Sequence, residues 1–244
     1  MKKIENKAFT LIETMVALVI GMIAIGAMYF SYQYFNNAHQ SITDRANISE
    51  LGRNSLSMIA KDLKNAGYKN INYSRSAWDR KIEVKNNYND KADYLRIWYN
   101  PNQSTRAQVE YYTEKTGSQT NLVKQLIENP ESSDPKKAYC ERYRTQKNCK
   151  PLVIVENVTD FQVVLKDVNG VELTSVGLSA ADAIANQDKV HTAEIYVTVR
   201  SANELYKTNK ITKMLNHNVS TQKNDQYHRE TFFLSVFLRN LTKI

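Results

Sequence analysis

Glycine and proline are scarce in this chain, at seven and four of 244 residues, which excludes collagen-like and low-complexity architectures. Histidine is equally scarce. His39, His191, His217 and His228 fall in no H-E-x-x-H or related spacing, so no metal centre and no catalytic residue is expected. A glycine-rich phosphate loop is absent, as is the G-x-S-x-G elbow, and no cofactor is implied. No repeat of fixed period occurs, which argues against solenoids and propellers. The charge balance is basic, 33 Lys and Arg against 25 Asp and Glu, but the longest basic clusters are the pairs Lys2-Lys3 and Lys136-Lys137. Without a basic stripe carrying interleaved aromatics, direct nucleic-acid binding is not predicted.

There are only two cysteines, Cys140 and Cys149, in "YCERYRTQKNC" between Pro135 and Pro151. A zinc site needs two further ligands, and no nearby His or Cys supplies them. Two free thiols suit a cytosolic chain, whereas in an exported domain the pair is expected to close a short loop as a disulfide.

What the chain does have is one long apolar run. Phe9–Phe30 is long enough as a helix to cross about 30 Å of hydrocarbon, and Lys2, Lys3 and Lys7 before it predict a cytoplasmic N-terminus with everything after Phe30 outside. Glu13 is the only formally charged side chain between Ala8 and Thr43. A lone carboxylate in hydrocarbon is costly and calls for a partner. Three readings compete. A secretory signal peptide would be cut after the small residues Ala24, Gly26 and Ala27, but the aromatic "MYFSYQYF" that follows fits poorly. A plain signal anchor leaves Glu13 unexplained. A cut between Ala8 and Phe9 places a new α-amino group about one helical turn from Glu13, or presents it to the Glu13 of an axially staggered neighbour. Glu13 is then a device that sets assembly register.

"KAFTLIETMVAL" resembles the class III signal of type IV pilins and type II secretion pseudopilins: a short basic leader, then Phe, Thr, Leu, Ile and Glu, then an apolar helix. Ala8 stands where that pattern has Gly. The resemblance implies cleavage by a prepilin peptidase, N-methylation of Phe9, and Glu13 as the assembly carboxylate.

After Phe30 the pattern turns amphipathic, with Ile48, Leu51, Leu56, Ile59 and Leu63 among charged residues. One helix is predicted from Phe9 to about Ala66, ending at Gly67 and weakened locally by Gly21, Gly26 and Gly52. Beyond Tyr68 the period becomes two. Leu95, Ile97 and Tyr99 share a face, as do Val109, Tyr111 and Thr113. Phe161, Val163 and Leu165 lead to a turn at Asn169-Gly170. Ala193, Ile195, Val197 and Val199 form the next set, and Phe232, Leu234, Val236 and Leu238 the last. Asn70–Asn89, Thr116–Pro151 and Asn203–His228 read as polar connections, and Asp160 and Glu194 as a solvated face. Tyr73, Trp78 and Tyr88 read as aromatics that pack a loop onto the sheet.

The expected fold is α+β, a long N-terminal helix, its first half transmembrane, packed on an antiparallel β head, as in the type IV pilin fold. Residues 1–8 are the leader, 9–30 the membrane and filament-core helix, 31–68 its amphipathic continuation and 69–244 the head. "LSMIAKDLKNAGY", "LVIVENVTDFQVVL", "AEIYVTVRS" and "FFLSVFLRNL" resemble PilW-type minor pilins, related to GspJ-type minor pseudopilins. That resemblance implies a subunit that primes pilus assembly at or near the tip. Its implied partners are other minor pilins, the major pilin, the inner-membrane platform and prepilin peptidase. It also implies residence in the bacterial inner membrane and then the filament. The alternatives are a GspJ-like secretion pseudopilin and a membrane-anchored exported enzyme or binding protein.

Overall fold

The computed structural model describes residues 10–69, 80–89, 92–100, 106–128, 151–173, 186–206, 208–214 and 221–241. The expected leader, the Ala8/Phe9 junction, the Cys140–Cys149 pair, Tyr73, Trp78, His217 and the side chain of Tyr88 lie outside the described residues. The chain forms two compact units, Met1–Asp44 and Arg45–Ile244.

A single helix, α1 (Leu11–Asn65), contributes to both. In the first unit its apolar side chains, from Leu11 through Phe35, are exposed, and the segment is long and apolar enough to cross a membrane by length and composition. In the second unit the helix becomes amphipathic. Ile48, Leu56, Ile59, Ala60 and Leu63 are buried at three- and four-residue spacing and join the main hydrophobic core. The helix ends as the sequence predicts. Gly67 takes φ +73°, which a Cβ disfavours, and its N–H donates to the Trp98 carbonyl at 2.9 Å. Asn240 Nδ2 donates to the Lys64 carbonyl at 2.9 Å, satisfying one of the terminal acceptors.

The strands are β1 (Ile82–Asn89), β2 (Ala92–Tyr99), β3 (Ala107–Thr116), β4 (Gln119–Glu128), β5 (Leu152–Val155), β6 (Val158–Lys166), β7 (Thr192–Glu204), β8 (Lys210–Met214), β9 (Thr221–Asp225) and β10 (Tyr227–Phe237). β1 to β5 form an antiparallel meander in chain order. A second antiparallel sheet has the order β10-β7-β6, and β8 pairs with β9 as a separate ribbon. Glu156 and Asn157 alone carry the chain from the first sheet to the second, with Asn157 at φ 57°, a conformation asparagine tolerates. Asp93 on β2 accepts a hydrogen bond from the Val163 N–H on β6 at 2.9 Å, tying the two sheets together. Helix, meander and second sheet share one core, which includes Ile59, Leu63, Leu95, Ile97, Tyr111, Phe161 and Ile195.

Of the predicted inward sets, Leu95 and Ile97, Val109 and Tyr111, Phe161, Val163 and Leu165, and Ala193, Ile195, Val197 and Val199 are all inaccessible or nearly so. The Asn169-Gly170 turn is present, with Gly170 at φ +79°, although the return leg is only a bridge from Glu172 to Lys166. Three of the expected polar connections are corrected. Asn70–Asn89 contains β1, Thr116–Pro151 contains β4, and Asn203–His228 contains the β8–β9 ribbon and the start of β10.

Gly52 marks the tightest helix–sheet approach. A Cβ built there falls 2.2 Å from ring carbons of Phe232 on β10. Glycine costs a mid-helix position about 1 kcal/mol relative to alanine, so the residue is held by packing rather than by propensity. Gly52→Ala is accordingly expected to destabilise the protein by about 1–3 kcal/mol, and Phe232→Leu in the same chain to recover part of that loss, in denaturant unfolding of the detergent-solubilised protein.

Candidate functional site

The N-terminal end of α1 answers one question the sequence raised. Thr10 precedes the first helical residue, and its backbone N–H and its hydroxyl donate to Glu13 Oε2 at 2.9 and 3.0 Å. The Glu13 N–H approaches Thr10 Oγ1 at 3.4 Å in return. Thr at the cap and Glu three residues later form a reciprocal capping box, which satisfies N–H groups that a helix start leaves open. The spacing T-x-x-E is visible in the sequence, whereas the cost of a charge in hydrocarbon by itself points to a terminal amine.

Only Oε2 is engaged. Oε1 makes no hydrogen bond among the described residues, and Glu13 is exposed on the chain's surface. The carboxylate therefore holds its own helix start with one oxygen and offers the other outward. Around it lies an uncovered apolar sheath: Leu11, Ile12, Met15, Val16, Leu18, Val19 and Ile20 are all more than half exposed. An exposed apolar surface of this extent marks a membrane or protein contact.

The second unit carries two buried polar clusters that sequence reading missed or misplaced. Asp62 on α1 is buried, with its Oδ2 2.6 Å from Lys124 Nζ on β4, and it also accepts a hydrogen bond from the Tyr111 hydroxyl on β3. Burial, reinforced by the Asp62 charge, pushes the Tyr111 hydroxyl well above the usual phenol range, so it stays a proton donor. The three residues are far apart in sequence, and no local pattern announces them.

The expectation of a solvated face at Asp160 is corrected. Asp160 is buried on β6, accepts from Gln162 Nε2 at 2.8 Å through Oδ1, and has no partner for Oδ2 among the described residues. Burial raises its pKa from the ordinary 3.8 to about 6, and the nearby Asp93 charge adds to the rise against the Gln162 bond. Glu194, by contrast, is half-buried and ion-paired with Lys166 at 2.6 Å. His228 is likewise not a solvated loop residue, since its Nδ1 lies 2.8 Å from the Tyr206 hydroxyl. Among the described residues no group of three or more His, Cys, Asp or Glu is placed to hold a metal ion.

Residues 5–29 match the prokaryotic N-terminal methylation motif. A comparison with curated proteins gives no match. Among solved structures, the chain is similar to the type IV-like pilin TTHA1219 from Thermus thermophilus. The two are 13% identical with a TM-score of 0.48, and the likeness covers 80% of this chain and 97% of that one.

Proposed function

We propose that this chain is a minor pilin of the PilW type, a non-enzymatic subunit that primes type IV pilus assembly and enters the filament at or near its tip. The observation that carries the reading is the methylation motif over residues 5–29, with Glu13 standing four residues after Phe9 at the start of an apolar helix. On this reading prepilin peptidase removes residues 1–8, Phe9 is methylated, residues 9–30 anchor in the inner membrane, 31–68 continue the helix, and 69–244 form a periplasmic head. Cys140 and Cys149 form a disulfide in that oxidising compartment. Other minor pilins, the major pilin and the inner-membrane platform are the partners.

Glu13 then has two tasks: Oε2 caps the helix, and Oε1 receives the terminal amine of an adjoining subunit, which a correct axial stagger brings within reach. Mutation separates the two. Thr10→Ala removes the hydroxyl bond to Oε2 and the acceptor of the Glu13 N–H, keeps the backbone bond and leaves the charge, and a lost cap costs a helix only about 0.5–2 kcal/mol. Glu13→Gln keeps an acceptor for the cap and removes the charge. Glu13→Gln is expected to leave membrane insertion intact and to cut co-purification of other minor pilins roughly tenfold or more, whereas Thr10→Ala retains most of it. Equal, mild effects of the two variants would reduce Glu13 to a cap.

A further inference from the structure

We propose that the groove between the end of α1 and β10 docks an extended acidic segment of another protein. The groove has a volume of about 720 Å³ and is lined by Arg53, Lys61 and Lys64 of the helix and Phe233, Leu234 and Arg239 of the last strand and its end. A second hollow of about 360 Å³ shares Lys64, Leu234 and Arg239 and reaches Phe237. No Asp or Glu lines either hollow. Arg53, Lys61, Lys64 and Arg239 are exposed, and none of their side chains makes an ion pair or hydrogen bond among the described residues. Elsewhere in this unit Lys124, Lys166, Arg96 and Arg229 each have an acidic partner.

The floor of the groove is suited to a strand. Among the described residues β10 is the terminal strand of its sheet, paired with β7 on one side only, so its other edge presents backbone donors and acceptors. Phe233 and Phe237, four residues apart on the outward face, are each 52% exposed and offer apolar contacts for alternate side chains. From Arg53 to Lys64 the helix rises roughly 16 Å, the length of about five strand residues. A segment of that length can pair with the edge of β10 while its acidic side chains meet the helix cations. A second copy of this chain is the wrong occupant, because the net charge of +8 and the same four cations would face each other. An anionic lipid surface shares the charge but makes no use of the strand edge. This surface belongs to the second unit alone, so its occupancy does not depend on processing at Phe9.

The test uses the full chain in non-ionic detergent and a fluorescein-labelled peptide of about ten residues alternating Glu and Val, long enough for one strand. Fluorescence anisotropy is expected to show binding that weakens with salt. Binding should fall at least tenfold in Lys61→Glu/Lys64→Glu and in Arg239→Glu, with unfolding midpoints unchanged. Amide exchange over residues 233–239 should slow on binding. The proposal is overturned if the peptide does not bind, if an alternating Lys and Val peptide binds equally, or if the reversals change nothing. Protection of residues 233–239 by phosphatidylglycerol-containing vesicles, but not by the peptide, would instead assign the groove to lipid.

Discussion

Asp62→Ala is expected to lower the unfolding free energy of the second unit by about 2–4 kcal/mol. Removing one partner of a buried ion pair costs more than the pair contributed, because the other charge stays behind without compensation. Here the charge left is Lys124, whose side chain is 21% exposed, which moderates the loss below the range for a fully buried pair. The Tyr111 hydroxyl, in a ring with no accessible surface, also loses its acceptor. Asp62→Asn keeps an acceptor for Tyr111 and should fall between Asp62→Ala and the parent. Tyr111→Phe removes a single hydrogen bond and should cost only about 1 kcal/mol. A double-mutant cycle between Asp62→Ala and Tyr111→Phe in urea should give a coupling of at least 0.5 kcal/mol, the threshold for residues in one network. An Asp62→Ala variant with an unchanged midpoint would mean that the cluster does not join helix to sheet.

Asp160 produces the opposite sign. Its folded-state pKa, about 6, lies above the ordinary 3.8, so between those values the folded protein holds a proton that the unfolded chain has released. Stability therefore falls as pH rises from about 4 to 6 and carries the full cost above it, on the order of 2–3 kcal/mol. Asp160→Asn, neutral at every pH, is expected to stabilise the protein by about 2 kcal/mol at pH 7.5 and by almost nothing at pH 4, read from denaturant midpoints. A variant that is destabilised at pH 7.5 would show that the buried carboxylate is held by favourable contacts and not tolerated at a cost.

The contrast between these clusters and the rest of the fold shows what a sequence can carry. The helix was legible because its signals are local: an apolar run, then a 3.6-residue period, then Gly67 where a left-handed residue was needed. Strands with one buried face were equally plain, as in "AEIYVTVRS". β4 was missed because Val123 and Ile127 are buried on one face and Leu122 on the other, which erases the alternation. Its hairpin with β3 turns at Gly117-Ser118, where Gly117 has φ +64°, a signal lost within a polar stretch. β1 and the β8–β9 ribbon are rich in Asn, Lys and Thr, and their apolar positions are too few to form a period.

The candidate sites divide in the same way. Glu13 stood out because it is the lone charge in an apolar run, and Thr10 was available three residues before it as a cap. Asp62 and Lys124 look like ordinary helix and strand surface residues until the fold brings them to 2.6 Å. Asp160 was placed outward by alternation alone, since nothing local indicates that the fold buries that position. Long-range pairing, not local propensity, decides where those charges lie.

The proposed function requires that Phe9 become the first residue and that its amine meet the carboxylate of Glu13. The direct measurement is the intact mass and N-terminal fragment spectrum of the chain recovered from membranes of cells carrying an active prepilin peptidase. A single species beginning with N-methyl-Phe9 is expected. A chain that retains Met1, or one cut after Ala27, would contradict it.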